Sequence, residues 1–260
     1  MSDTYETIGL ERAGEVALLT LARPQRLNAI NRQMLGELQE ALDEVERDDA
    51  LRVLMVKGAG GNFSSGFDLK EQMEARPSGE QAWREILDRD FAGIMRFWHL
   101  RKPTIAAVEG YCLAGGCELA LCCDITIAAE DAIFGEPELK FGAGIVVMIL
   151  PWLVGPKRAK EIILSGADRI PAAEAARIGL VNRVVPAAEL MPWALETAER
   201  IAANSPSAVQ AVKRQISATI AEHARAREAL DQSLGDRVRA SADFQEGIAA
   251  FREKRQPRYE

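Results

Sequence analysis

Residues 102–125 read KPTIAAVEGYCLAGGCELALCCDI, and the rest of the chain is organised around them. The segment opens with an apolar, partly β-branched run at 104–108, bounded by Pro103 and Gly110, and this pattern predicts a buried strand. A Leu-Ala-Gly-Gly turn at 113–116 follows, where the glycines let the backbone reverse tightly. The stretch therefore predicts a strand, a turn and then a helix.

The predicted helix runs from Cys117 to Cys123 and carries a single charge, Glu118. Glu118 comes three residues after Gly115, so it lies about one turn into the helix, on the face where the first N–H groups are free. A carboxylate in an apolar helix is usually paired or functional. The stretch thus combines an acid/base group with a helix end that attracts anions.

All four cysteines of the chain fall within this same stretch. Their spacing matches no zinc-binding pattern, and their apolar surroundings indicate buried free thiols rather than metal or redox chemistry. Free thiols are typical of a reducing compartment, so we expect a cytoplasmic protein that binds no metal. The residues concerned are Cys112, Cys117, Cys122 and Cys123.

The composition provides ample material for a core, since 48% of the 260 residues are hydrophobic and only 6% are aromatic. The formal net charge is −7, so we expect no nucleic-acid partner, and a polyanionic ligand would need a local basic cluster. We see no signal peptide at the N-terminus. The longest charge-free segment, 141–156, is broken by Pro151 and is short for a membrane span.

Within the first 190 residues, apolar runs alternate with segments of helical periodicity, which predicts a mixed α/β region. Asn31 can cap the first of the helices. Strands are expected at 16–21, 51–56, 124–128 paired with 132–134, and 181–185, and helices at 31–47 and 80–100.

Helices with clear start signals dominate the later part of the chain. Pro156 and Ser205-Pro206 can each begin a helix, and Asp243 with Glu246 resembles a capping box for the last one. We therefore divide the chain into a core at 1–190 and a C-terminal helical region at 191–260, with no flexible hinge between them.

A second glycine-rich turn, GAGGNFSSG at 58–66, follows the strand predicted at 51–56. It does not fit a nucleotide-binding loop, because the third glycine of G-x-G-x-x-G would fall on Phe63 and no G-K-[ST] end follows. Both glycine turns lie between a strand and a helix, so the two turns can face each other.

Any acid/base chemistry must come from carboxylates, because the chain has only two histidines. His99 and His223 are interpreted as solvated side chains, which disfavours a Ser-His-Asp or Cys-His hydrolase. The two candidate acids are Glu118 and Glu138. Taken alone, Glu138 in the sequence FGEPE would be an ordinary acid on a surface loop.

Four segments resemble the enoyl-CoA hydratase/isomerase family, also called the crotonase family: NFSSGFDLKE, AAVEGYCLAGGCELALCCDITIAAEDAIFGEPEL, SGADRIPAAEAARIGLVNRVV and EGIAAFREKRQP. The resemblance extends over residues 8–257. It implies an α/β fold, a crotonase-like spiral of ββα units with a C-terminal helical trimerisation region that covers the active site. It also implies a homotrimer or a homohexamer.

The resemblance further implies a site for an acyl-CoA thioester. The backbone N–H groups of Phe67 and Gly115 would form an oxyanion hole, and Glu118 and Glu138 would hold and activate a water molecule. Isomerases of the family commonly keep one acid, so two acids favour an enoyl-CoA hydratase that needs no cofactor beyond the CoA of its substrate. The alternatives are a 3-enoyl-CoA isomerase, a hydratase-lyase and a catalytically silent acyl-CoA-binding protein.

The CoA-binding residues implied by the resemblance are Arg26, Ser65, Phe67, Asp68, Leu69, Lys70, Gly115, Phe251 and Lys254. Arg26 would lie near the phosphates, whereas Phe251 and Lys254 would reach the ligand of a neighbouring subunit. For Arg26 and Lys254 the alternative is an ordinary solvated charge. Two departures from the family pattern leave the acyl group open: Phe67 is large for its position, and LKFGAGIVV follows Glu138 in place of a glycine and proline loop.

Overall fold

The computed structural model describes residues 5–75, 79–219 and 241–258, and its strands form two sheets. The larger sheet has the order β1-β2-β3-β4-β6-β9, and the smaller one has the order β5-β7-β8. The strands are β1 Ile8–Ala13, β2 Val16–Leu21, β3 Val53–Gly58, β4 Thr104–Val108, β5 Tyr111–Leu113, β6 Ile125–Ala129, β7 Ile133–Gly135, β8 Ile170–Pro171 and β9 Arg183–Val185. Only the β1–β2 and β7–β8 pairs are antiparallel.

The helices surround these sheets, and none in the described ranges is long and apolar enough to cross a bilayer. They are α1 Arg32–Arg47, α2 Leu69–Ala75, α3 Gly79–His99, α4 Gly115–Cys122, α5 Leu150–Leu164, α6 Ala172–Arg177, α7 Leu190–Ala202, α8 206–219 and α9 Ala242–Glu253. Short 3-10 helices cover Pro24–Arg26, Glu138–Phe141 and Ala187–Glu189.

Several predicted elements are confirmed. The strands at 16–21 and 104–108 have the predicted ends, and Asn31 Oδ1 caps α1 by accepting from the Met34 N–H at 3.0 Å. Within α5, Gly155 has φ 78°, so the helix is interrupted there and starts again at Pro156 as expected.

Both faces of the large sheet are buried, as expected for parallel strands. In β3, Leu54 and Val56 face one hydrophobic cluster with α1 and α4, whereas Val53 and Met55 face a second cluster. The second cluster is completed by α7, whose buried residues are Leu190, Ala194, Ala198 and Ala202. The division of the chain at residue 190 stays a prediction, but α7 itself packs on the sheet.

The predicted pairing of the strands at 124–128 and 132–134 is wrong. The corresponding strands exist, but β6 belongs to the large sheet and β7 to the small one. The reason is that the two ends of their connection are hydrogen-bonded to different parts of the fold. The Glu130 N–H still bonds to the Val185 carbonyl at 2.9 Å, and three residues later the Ile133 N–H bonds to the Gly110 carbonyl at 2.8 Å. The chain therefore leaves one sheet and enters the other.

The predicted capping box of the last helix is also wrong. Ser241, not Asp243, precedes α9, and its Oγ accepts from the Phe244 N–H at 3.3 Å. Glu246 binds the Arg255 guanidinium at 2.6 Å and the Arg258 N–H at 2.7 Å. These hydrogen bonds, the one from Arg255 above all, lower the pKa of Glu246 to about 2.

One lysine is buried inside the fold. Lys102 is 1% exposed, and its Nζ donates to the Val45 carbonyl at 2.5 Å and the Asp48 carbonyl at 2.6 Å, at the C-terminal end of α1. A cation is favourable there because helix carbonyls carry partial negative charge. Burial lowers the pKa of Lys102.

Replacing Lys102 with methionine is expected to lower the free energy of unfolding by about 1–3 kcal/mol, because buried carbonyls lose a charged donor. Urea denaturation of the purified variant measures this change. Lys160→Met, at an exposed position of α5, is the control and should change stability by less than about 0.5 kcal/mol. Equal changes in the free energy of unfolding for the two variants would contradict a stabilising role of Lys102 at the end of α1.

Candidate active site

The small sheet brings two separate acidic segments together. β5 and β7 are parallel neighbours, with Leu113 opposite Gly135, and the Ala114 N–H donates to the Gly135 carbonyl at 2.9 Å. α4 begins directly after β5, and the Glu-Pro-Glu segment at 136–138 begins directly after β7. Because parallel strands end at the same edge, Glu118 of α4 is placed beside this segment, as the family resemblance implied.

Three carboxyl groups meet at this edge. Carboxylate oxygens of Glu118, Glu136 and Glu138 all lie within 4.8 Å of one another. The residues are 0%, 2% and 7% exposed, respectively, so Glu138 is not a surface acid. The spacing alone would also admit a cation, but the sequence carries no metal-binding motif. We refer to these three residues as the acid cluster.

Glu136 is not among the site residues predicted from the sequence. The available signal was its place as the first residue after β7, two positions before Glu138. Burial raises the pKa of Glu136 well above its usual value, and Cys117 and the two other carboxyl groups act in the same direction. The Cys117 thiol beside it also has a raised pKa, caused first by a hydrogen bond with Cys112 and then by burial.

Glu118 is oriented by the loop that follows the 3-10 helix Glu138–Phe141. Its Oε1 accepts from the Val146 N–H at 2.8 Å. This loop is the segment whose sequence departs from the family pattern. The loop with the unusual sequence therefore positions Glu118, one of the two predicted acids, through a backbone N–H.

The two glycine turns face each other, as predicted. The Ser64 N–H donates to the Tyr111 carbonyl, and the Leu113 N–H donates to the Ser64 carbonyl, both at 2.9 Å. A Cβ on Gly66 would lie 2.6 Å from the Ala114 Cβ. The backbones therefore approach so closely that only glycine fits at position 66.

The predicted donors, Phe67 and Gly115, lie at this contact. Ile30 forms a parallel β-bridge with Phe67, in which the Ile30 N–H donates to the Gly66 carbonyl and the Asp68 N–H donates to the Ile30 carbonyl. The Phe67 N–H therefore points away from Ile30. Gly115 is the first residue of α4, where an N–H has no partner in the helix. In the described part of the chain neither N–H forms a backbone hydrogen bond. A Cβ on Gly115 would lie 2.5 Å from the Phe67 ring.

The predicted CoA-binding residues lie mostly in one continuous segment. The Ser65 N–H donates to the Leu27 carbonyl at 2.9 Å, which places residues 65–70 beside the exposed Arg26. Leu69 packs near Trp83, and Lys70 is exposed and 3.8 Å from Glu74.

Of the two predicted residues near the C-terminus, only Lys254 has a described side chain. Lys254 is exposed after α9, and no hydrogen bond or ion pair between described residues links it to Arg26 or Lys70. The side chain of Phe251 lies outside the described part of the structure, as does His223.

Asp68 has an ion-pair partner that is not among the predicted site residues. Arg23 Nη2 lies 2.9 Å from Asp68 Oδ2, with both side chains largely buried, and Arg23 Nη1 donates to the Ala29 carbonyl at 2.5 Å. This ion pair fixes the residue next to Phe67. No local pattern signals it, because the partners are 45 residues apart in sequence.

Comparisons with known proteins identify the family of this chain. A family model described as enoyl-CoA hydratase/isomerase matches residues 11–260. A crotonyl-CoA hydratase from Syntrophomonas wolfei is 37% identical over 98% of this chain and 98% of its own length. A short-chain-enoyl-CoA hydratase from Clostridium acetobutylicum is 37% identical, with coverage of 95% and 94%.

A solved structure, titled as an enoyl-CoA hydratase/isomerase from Xanthobacter autotrophicus Py2, is similar to this chain throughout. It is 52% identical with a TM-score of 0.93, and the match covers 96% of this chain and 94% of that one. The predicted crotonase fold is thereby confirmed. The chain belongs to the enoyl-CoA hydratase/isomerase family.

Proposed function

We propose that this protein is an enoyl-CoA hydratase, which adds water across the double bond of a 2-enoyl-CoA thioester. The observation that carries the proposal is the burial of Glu118 and Glu138 in one cluster, next to the turns that present the Phe67 and Gly115 N–H groups. The names of curated relatives at 37% identity support the same reaction.

The two N–H groups would act on the thioester oxygen. When water adds to the β-carbon, negative charge moves through the α-carbon onto that oxygen and an enolate forms. Donors fixed before the reaction stabilise this charge without reorganising, and each is worth about 2.7–4 kcal/mol of barrier. Phe67 and Gly115 belong to two closely packed turns, so their N–H groups would be held in place.

The two acids would act on the water. Glu118, held through Oε1 by the Val146 N–H, helps to activate the water for attack on the β-carbon. Glu138 accepts a proton from this water and delivers a proton to the α-carbon. One O–H bond and the C=C π bond break, a C–O bond at the β-carbon and a C–H bond at the α-carbon form, and no redox step occurs. This chemistry uses no cofactor or metal beyond the CoA of the substrate.

We extend the proposal to binding, assembly and location. Arg26 and the segment from Ser65 to Lys70 bind the CoA part, for which exposed Arg26 and Lys70 supply local positive charge. Phe251 and Lys254 contact the ligand of a neighbouring subunit in a homotrimer or homohexamer. The exposed Val212 and Ile216 of α8, at 51% and 63%, support such an assembly. Four buried thiols support a reducing, cytoplasmic location.

The proposal is tested by incubating the protein with crotonyl-CoA and following the loss of the conjugated enoyl-thioester absorbance. We expect turnover at about 1–10³ per second, the usual range for enzymes, and a product heavier by one water in mass spectrometry. A double variant, Glu118→Gln with Glu138→Gln, is the control for a contaminating hydratase.

The other reactions of the family give different products. Conversion of a 3-enoyl-CoA into a product of equal mass would identify an isomerase, and cleavage of a carbon–carbon bond would identify a hydratase-lyase. Tight binding of acyl-CoA esters with no turnover on any of them would identify a silent binding protein. Each of these results, without hydration of a 2-enoyl-CoA, would contradict the proposal.

A further inference from the structure

Glu136 has no role in the reaction described above, although it lies within the acid cluster. Its Oε2 is buried and has no hydrogen-bond partner among the described residues. Its backbone is fixed, because the Glu136 N–H donates to the Ala167 carbonyl at 2.8 Å. A Cβ on the preceding Gly135 would lie 2.5 Å from the same carbonyl oxygen. The side chain is therefore held in the cluster by tight backbone packing.

The groups around Glu136 are acids and thiols. Glu118, Cys117 and Cys122 face it from α4, Cys112 lies behind Cys117 on β5, and Glu138 faces it from the following 3-10 helix. Charges of one sign at such distances, away from water, strongly disfavour a second and a third ionisation. The ionisation of each carboxyl group in the cluster is therefore coupled to that of the others.

Glu136 is the member of the cluster best placed to keep its proton. Burial is the first cause of its raised pKa, and the neighbouring Cys117 thiol adds to it. Glu118, by contrast, accepts the Val146 N–H, which stabilises a carboxylate. Neutral Glu136 would leave a single charge for Glu118 and Glu138 to share.

We propose that Glu136 is a protonated positioning residue, which allows one carboxylate and one carboxylic acid to coexist at Glu118 and Glu138. Ionisation of Glu136 at higher pH would add a second charge to the cluster and switch the reaction off. This inference rests on the proposed hydratase function for its kinetic consequence. The protonated state of Glu136 does not depend on that function.

The test is the pH profile of kcat/KM for Glu136→Gln, since glutamine imitates a neutral carboxyl group but cannot ionise. The alkaline limb is expected to move up by about one pH unit, while the acidic limb stays within about 0.3 unit. Glu130→Gln, which removes an exposed acid at the end of β6, is the matched control and should leave both limbs unchanged. A merely structural role of Glu136 would lower activity without moving either limb.

Two kinetic results would overturn the inference. A fall of the acidic limb by about one unit or more would show that Glu136 is ionised at neutral pH in the wild type. An unchanged profile would show that its ionisation is not linked to the reaction.

Infrared difference spectroscopy separates this inference from the proposed function. At neutral pH the protonated-carboxyl absorption of the wild-type protein should exceed that of Glu136→Gln by one group, whether or not any enoyl-CoA is hydrated, because the acid shared by Glu118 and Glu138 absorbs in both proteins. If the variant does not fold, the absorption is followed in the wild type, where it should decrease together with the alkaline loss of activity. Equal absorption in wild type and variant, or no decrease in the wild type over the alkaline limb, would overturn the inference even for an active hydratase.

Discussion

Glu138→Gln and Glu118→Gln are each expected to lower kcat for 2-enoyl-CoA hydration by about 10²- to 10⁴-fold, the usual contribution of a positioned acid or base. Glutamine has nearly the same shape but can neither take up nor release the proton. At position 118 it still offers an oxygen to the Val146 N–H, so the loop contact is preserved. Steady-state kinetics with crotonyl-CoA measure both variants.

The effect should be confined to turnover. KM and the midpoint of thermal unfolding are expected to stay close to the wild-type values, because neither substitution creates a cavity. Glu130→Gln carries the same chemical change at an exposed position and should keep full activity. A single variant at either site that retains more than about a tenth of the wild-type kcat would contradict the assigned role.

Gly247→Ala is expected to destabilise the protein by about 1–3 kcal/mol, although alanine normally stabilises a helix relative to glycine. Gly247 is a buried residue of α9, and a Cβ there would lie 2.3 Å from the Phe141 carbonyl oxygen. Phe141 ends the 3-10 helix that begins with Glu138, so displacement of α9 should also lower kcat. Urea denaturation and the crotonyl-CoA assay measure the two effects.

The same substitution elsewhere provides the control. Gly36 lies in the middle of α1 with no atom within 4 Å of a Cβ built there, and it is exposed. Gly36→Ala should therefore stabilise the protein by about 0.5–1 kcal/mol and leave kcat unchanged. The two substitutions are thus expected to change the free energy of unfolding in opposite directions. A stabilising Gly247→Ala would refute the contact between α9 and the 3-10 helix.

Local sequence patterns were sufficient to predict the strands and helices that are determined by their own residues. The β-branched run at 104–108 and the helical period after Asn31 appear in the structure as predicted. The separation of β6 and β7 into two sheets could not be predicted in the same way, because it depends on hydrogen bonds to the Val185 carbonyl of β9 and to the Gly110 carbonyl, which are remote in sequence. The family resemblance supplied what periodicity lacks, namely the association of Glu118 with Glu138.

The burial of the acid cluster likewise could not be predicted from local sequence. Glu136 and Glu138 look like loop acids in the sequence, and their burial follows only from the register of β5 with β7 and from the packing of α9 on the following turn. The Arg23 partner of Asp68 is likewise a tertiary contact. Two of the three acids could thus be named as candidates from the sequence and the resemblance, whereas their surroundings depend on neighbours that only the fold brings together.

The packing of α9 on the 3-10 helix that carries Glu138 also determines when, during synthesis, this part of the site can form. About a hundred residues separate the two elements, and a ribosome adds roughly 5–20 residues per second. For several seconds of synthesis, a nascent chain therefore holds both predicted acids and both predicted N–H donors without the support of α9. The contact of α9 with the 3-10 helix forms only after α9 has emerged, so a chain that stops short of it would carry the predicted site residues without this support.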